Sequence, residues 1–202
     1  MEFIQNGMEY SGESFTDFDF SELSLDAVRF KQCSFKGSLM PNLLTSRCTF
    51  ETCDFSFARL NGSIHRASLF LNCIFHAASL FSAEFLECKC TGSVFSGADL
   101  TALELRGGDY SYTIFNDSDL RGWNLRGMKF ENAFLQNCRL EKADLRETDL
   151  RHAVLTGADL RQADLRGALL TGIDFSSIRM KGTRIDIAQA VLVAEAMGCV
   201  CL

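Results

Sequence analysis

Apolar residues return at every fifth position along almost the whole chain. From Tyr10 to Ile185 this comb has 36 teeth: thirteen Phe, fifteen Leu, two Met, two Tyr and one Ile, with only Thr45, His65 and Cys90 departing from it. The register never slips. A period of five belongs neither to a helix nor to a strand, so the chain reads as an array of short repeats. A second, smaller set lies two residues before each centre. In the C-terminal half it runs Ala133, Cys138, Ala143, Thr148, Ala153, Ala158, Ala163, Ala168. Large and small side chains alternating in this way predict two inward positions per repeat. Between them Gly, Asp and Asn supply the turns.

Folding the sequence at twenty residues lines up like with like. One column reads Phe15, Phe35, Phe55, Phe75, Phe95, Phe115, Leu135, Leu155, Phe175, and another Phe20, Met40, Leu60, Leu80, Leu100, Leu120, Leu140, Leu160, Met180. Four repeats per turn give about nine coils from the 36 positions. Bulky residues in the small column (Leu23, Leu43, Leu103 and above all Trp123) predict a local bulge in the middle coils. Met40 to Thr45, holding the only proline at position 41, predicts a distorted corner.

With the motifs ADLRE, ADLRQ and ADLRG on the page, the chain resembles the pentapeptide-repeat family over nearly its whole length. The resemblance implies an all-β fold, a right-handed quadrilateral β-helix in which four pentapeptides make one coil. Residues 1–9 are expected to form an N-terminal cap and residues 10–185 the β-helix. The remainder, 186–202, reads as a helix followed by a strand. Asp186 is the expected N-cap, Ile187 to Met197 the helix and Gly198 its stop. Ile187, Ala190, Val191, Val193, Ala194 and Met197 form its apolar face, and Cys199 to Leu202 would add the strand. This ending resembles the topoisomerase-protecting, quinolone-resistance members of the family, the MfpA and Qnr proteins. In them the C-terminal cap is a twofold dimer interface. The resemblance therefore implies a homodimer, with Ile187, Val191, Leu192 and Val193 as the dimerisation residues.

Composition narrows the chemistry. At 47% hydrophobic and 23% charged residues the chain can build a core. A net charge of -6 argues against direct binding to nucleic-acid backbones. The N-terminus MEFIQNGMEY has no signal-peptide character and no stretch suits a membrane span, so a cytoplasmic protein with reduced thiols is expected. Six of the nine cysteines (Cys33, Cys48, Cys53, Cys73, Cys88, Cys138) occupy the small inward position, where a free thiol acts as a small hydrophobe. The pairs Cys48/Cys53 and Cys88/Cys90 lack the partners a zinc site would need. The final four residues also fit the C-a-a-X lipidation pattern, without the second signal that stable anchoring needs. No phosphate-binding, metalloprotease or nucleophile motif occurs. His65 is inward while His76 and His152 are outward, and no acid/base pair converges. The chain reads as a non-enzymatic protein with no catalytic, cofactor or metal residues.

That leaves the surface. Outward acidic columns run Glu84, Glu104, Asn124, Asp144, Asp164 and Asp99, Asp119, Asp159. Arginines at 121, 126, 146, 151, 161 and 166 offset many of them. Residues 1–101 hold 7 basic and 12 acidic groups, and residues 102–202 hold 13 and 14. An apolar outward column, Ile74, Val94, Ile114, Phe134 and Val154, serves either strand propensity or a partner. The resemblance implies imitation of duplex DNA on DNA gyrase, and in some members on topoisomerase IV. Asp119, Asp144, Asp159 and Asp164 are the expected bearers of the mimicking charge. The competing expectation is a protein-binding scaffold or immunity factor with another partner.

Overall fold

The pentapeptides send their centre residues inward, and in nearly all of them the residue two further on turns the chain with a positive φ, as at Asp17 (54°), Asn42 (56°) and Asn137 (56°). The computed structural model describes residues 4–201. Its backbone divides into two compact units, Met1–Asp109 and Tyr110–Leu202.

The first unit holds nine three-residue strands: β1 (Glu9–Ser11), β2 (Ser24–Asp26), β3 (Arg29–Lys31), β4 (Leu44–Ser46), β5 (Thr49–Glu51), β6 (Ile64–Arg66), β7 (Leu69–Leu71), β8 (Glu84–Leu86) and β9 (Glu104–Arg106). They form two parallel sheets, ordered β1-β3-β5-β7 and β2-β4-β6-β8-β9. Every pair is registered twenty residues apart, for example Tyr10 with Phe30 and Phe50 with Phe70. Parallel pairing twenty residues on is what a four-sided coil requires. Residues 4–9 extend the first coil, with the Gly7 amide on the Asp26 carbonyl at 3.1 Å and the Asp26 amide on Asn6 Oδ1 at 2.8 Å.

Strand pairing makes about five turns of solenoid, against the nine coils expected. In the second unit no extended strand forms among the described residues. The twenty-residue step persists there as isolated bridges, such as Asp119–Arg139–Asp159–Arg179 and Asn124–Asp144–Asp164–Arg184. Corners in this unit close as tight turns, which shortens each side to a single paired residue.

The core is a set of ladders. Phe15, Phe35, Phe55, Phe75 and Phe95 stack with ring centroids 4.8–5.2 Å apart. Their neighbours across a corner meet edge to face, as Phe30 does Phe35 at 5.1 Å, a geometry that favours the ring quadrupoles. His65 sits fully inside. Its Nδ1 lies 2.8 Å from Thr45 Oγ1 and its Nε2 3.0 Å from Ser63 Oγ, so two centres that break the comb satisfy one another. Burial pulls its pKa down to about 3 and keeps it neutral.

The thiols do more than fill space. At corners closed by a turn, the centre carbonyl accepts the amide three residues on, as Phe55 does from Ala58 at 3.0 Å. At the corners after Phe30, Phe50 and Leu25 no such bond closes. There the small residue of the next coil donates instead: Cys53 Sγ to the Phe30 carbonyl at 3.4 Å, Cys73 to Phe50 at 3.2 Å, Cys48 to Leu25 at 3.4 Å. Ser93 completes the exchange at the Phe70 corner, donating to its carbonyl (2.7 Å) and accepting the Cys73 amide (2.9 Å).

Three expectations need correction. The corner at Pro41 is undistorted: Leu43 donates to Met40 at 3.2 Å and Asn42 to Asn61 at 3.0 Å, as at other turns. Its position explains why. The residue after a centre turns its amide to its own repeat's side chain, as Ser56 does to Asp54 (2.9 Å), so a proline there forfeits no ladder bond. Trp123 raises no bulge within its unit. It stays half-buried while its corner closes on Leu120 at 3.3 Å and its carbonyl accepts the Asp144 amide at 2.8 Å.

The third correction is at the C-terminus. Helix α1 (Ile187–Ala196) forms with Asp186 as N-cap, and Gln189 completes a capping box. Residues 199–201 are not in a strand, and Leu202 lies outside the described residues, as do residues 1–3 of the expected N-terminal cap. The inward side of the helix also differs from the expected apolar face. Gln189 is buried, Val193 and Ala194 are half-buried, and Ile187, Ala190 and Val191 face solvent. The edge of the last coil presents carbonyls with acceptor capacity to spare (Leu165 O holds only its turn bond from the Ala168 amide, 2.8 Å), and an amide serves them better than an alkyl group. Gln189 Nε2 donates to Leu165 O at 2.5 Å and Ala168 O at 2.9 Å.

Candidate functional site

In each D-L-R repeat the aspartate precedes an inward leucine and the arginine follows it, so both point outward, two residues apart. The carboxylate accepts the arginine's own amide and then both edges of its guanidinium. For Asp119 and Arg121 the Nε and Nη2 contacts are 2.7 and 2.6 Å, for Asp144 and Arg146 2.8 and 2.6 Å, and for Asp164 and Arg166 2.9 and 2.7 Å. Asp159 holds Arg161 in the same way, at 2.8 and 2.7 Å. Such forked pairs are directional and strong for their class.

The next coil adds a second arginine. Arg139 reaches Asp119 at 3.4 Å, Arg179 reaches Asp159 at 3.4 Å and Arg184 approaches Asp164 at 3.9 Å. The guanidinium hydrogen bonds hold all four carboxyls below the usual aspartate range, Asp164 at about 2. All four are therefore ionised at neutral pH, and all four are already neutralised. Their side-chain exposures are 46% for Asp119, 27% for Asp144, 15% for Asp164 and 3% for Asp159. Asp149 with Arg151 is a fifth such pair that the acidic columns did not pick out, although its T-D-L-R sequence carries the same signal.

Charge is unevenly divided. The first unit holds 8 Lys and Arg against 14 Asp and Glu, whereas the second holds 12 of each. The entire net charge of -6 thus belongs to residues 1–109, and the four candidate aspartates stand in the balanced unit.

The candidate dimerisation residues lie on α1. Ile187 is 87% exposed, Val191 and Leu192 are each more than a third exposed, and Val193 leans inward. Met197 and Val200 extend the exposed apolar surface. Gln189, which holds the helix in place, was missed in the sequence, yet its spacing from Asp186 is the capping-box signature. Of the apolar column, Ile74 and Phe134 are about two-fifths exposed, while Val94, Ile114 and Val154 are half-buried. Among the described residues no group of three His, Cys, Asp or Glu is placed to hold a metal ion, and no helix is long and apolar enough to cross a membrane.

The family model for pentapeptide repeats matches residues 135–172, with eight copies. The chain thus carries pentapeptide repeats over that segment. It is 38% identical over 77 residues to the pentapeptide repeat protein MfpA of Mycobacterium tuberculosis (strain ATCC 25618 / H37Rv). That match covers 38% of this chain and spans about two-fifths (42%) of the relative's length. Among solved structures, a trypsin-treated form of QnrB1, a plasmid-mediated fluoroquinolone resistance protein, superposes with a TM-score of 0.84 at 21% identity, covering 98% of this chain and 99% of that one. HetL, a pentapeptide-repeat protein involved in heterocyst differentiation regulation in the cyanobacterium Nostoc sp. strain PCC 7120, gives 0.54 at 21% identity, covering 88% and 87%. At such identities the structures establish a shared Qnr-like fold.

Proposed function

We propose that this protein is a pentapeptide-repeat protein and a non-enzymatic, cytoplasmic DNA mimic. It binds DNA gyrase, and also topoisomerase IV, and protects them from quinolone-type inhibitors. It acts as a homodimer joined through α1. The observation that carries this reading is the end-to-end likeness to QnrB1, supported by the partial identity to MfpA. Fold alone does not assign a partner, so the reading also rests on the surface. An excess of negative charge on residues 1–109 suits an enzyme surface built to hold DNA.

Asp119, Asp144, Asp159 and Asp164 serve as mimicking charges only if the partner competes with the arginine two residues on. Accessibility then ranks them. Asp119→Lys should weaken gyrase inhibition most and Asp159→Lys least, because the Asp159 side chain is almost wholly covered. The deciding assay is gyrase supercoiling with purified protein, with and without ciprofloxacin. Inhibition by the protein, or rescue from the drug, is expected. No effect at micromolar protein would overturn the proposal.

The second reading is a scaffold or immunity factor for another protein. The saturation of the candidate aspartates by arginines favours it, as does the likeness in fold to HetL, a protein involved in heterocyst differentiation regulation. It predicts no effect on either topoisomerase and capture of a different partner.

A further inference from the structure

The second unit carries a surface trough of about 530 Å³ bordered by Lys142, Arg146, Gln162, Arg166 and Arg184. That volume lies within the range of small-ligand sites. The two carboxylates in it, Asp144 and Asp164, are recessed, with side chains 27% and 15% exposed, whereas Arg166 and Arg184 are 52% and 71% exposed. Acid therefore lies on the floor and cation at the mouth. Four positive groups face two negative ones, so the trough is positive although its unit as a whole is neutral.

The donors are also pre-set. Arg146 and Arg166 spend Nε and Nη2 on their aspartates, which fixes each guanidinium plane and leaves Nη1 unspent. Arg184 approaches Asp164 only at 3.9 Å, beyond hydrogen-bond range, and among the described residues no ion pair engages Lys142. The Gln162 amide adds a neutral donor at the same wall. Planar cations held still, an ammonium with no ion pair among the described residues and a guanidinium only loosely paired with Asp164 form the arrangement that grips several oxygens of one anion.

We propose that this trough is a binding site for a small multivalent oxyanion, a linear polyphosphate or a polycarboxylate. It shares Asp144, Asp164 and their paired arginines with the topoisomerase reading, but Lys142 and Arg184, which the test removes, play no part in that reading. The test is calorimetric titration of the full-length protein with tripolyphosphate, and separately with citrate, at low ionic strength. Saturable binding of tripolyphosphate or citrate is expected, weakening as salt rises. The Lys142→Ala/Arg184→Ala double variant should lose at least about tenfold in affinity, since two charge-assisted contacts go. Both side chains are at the surface, and an unchanged melting temperature will show that the variant is folded. Tripolyphosphate alone binding assigns a phosphate ligand; citrate binding as well extends the site to carboxylates. No saturable heat with either anion, or equal heat in the double variant, overturns the proposal.

Discussion

His65 stands where the comb elsewhere places Phe or Leu, and its environment fixes its charge state. Its ring lies 4.7 Å from that of Phe85 and 5.1 Å from that of Phe70, and both nitrogens are committed to hydroxyls. Unfolding returns it to a pKa of 6.5, from about 3 in the fold. The unfolded chain therefore binds the extra proton throughout that interval, and stability falls as pH drops below 6.5. The limiting slope is about 1.4 kcal/mol per pH unit, so acidification from pH 7 to 5 should cost about 2 kcal/mol. The depressed aspartates do not confuse this window, because their stabilising share is lost only at lower pH. In urea titrations at the two pH values, His65→Phe should remove the loss. An unchanged slope would mean that His65 is not the group responsible. Glycine offers a second residue-scale test. Gly108 has φ +98°, and a Cβ there would collide with the Cys88 carbonyl oxygen, whereas Gly122 (φ +71°) has open space around it. Gly122→Ala should cost about 1 kcal/mol of left-handed strain. Gly108→Ala should cost several times that in denaturant titrations, because it meets backbone that cannot yield.

At the scale of elements, corners differ in how the carbonyl of the inward centre is satisfied. Where a turn bond closes the corner, alanine suffices, as at Ala58 and Ala163. At the corners after Phe30, Phe50 and Phe70, where none does, Cys or Ser of the next coil supplies a donor to the carbonyl. The period of five made the fold readable, because one side chain in five must enter a core of constant width. The corner type was not readable, because it depends on which carbonyl lacks a partner one coil away, a relation no local window contains. The arginine–aspartate forks were half-readable. The D-L-R spacing places both charges outward, but their reciprocal neutralisation emerges only once the backbone amide orients the carboxylate. Helix α1 shows the same limit: its apolar pattern named the wrong inward face because the open coil edge asks for a donor. Gln189→Ala leaves the buried Ala168 carbonyl without its donor, removes the second donor to Leu165 O, and should cost about 2 kcal/mol. Asp186→Ala, which removes a cap on the exposed side, should cost about 1 kcal/mol. The reverse order in thermal or urea unfolding would show that the cap, and not the amide plug, holds the helix down.

At the scale of the molecule, the exposed side of α1 and the imbalance of charge make separable demands. Ile187 on α1, and Met197 and Val200 just beyond its end, are largely exposed, while the helix is anchored on its other side by Gln189. Covering this side with a second copy joins two equivalent surfaces about a twofold axis, and closure follows without further contacts. Light scattering should then report about 45 kDa, twice the 22.5 kDa chain. Ile187→Asp with Val191→Asp should return the mass to that of one chain, since two carboxylates cannot be buried against their own images. The melting temperature extrapolated to low protein concentration should hardly change, because Ile187 lies 87% open to solvent. A wild-type mass of one chain at micromolar concentration would remove the dimer. It would leave the charge argument standing, since the excess of six negative charges lies in residues 1–109 and needs no second copy. Supercoiling assays on the monomeric variant then separate the two demands. Full inhibition assigns the topoisomerase contact to a single copy, and lost inhibition with an intact fold assigns it to the pair.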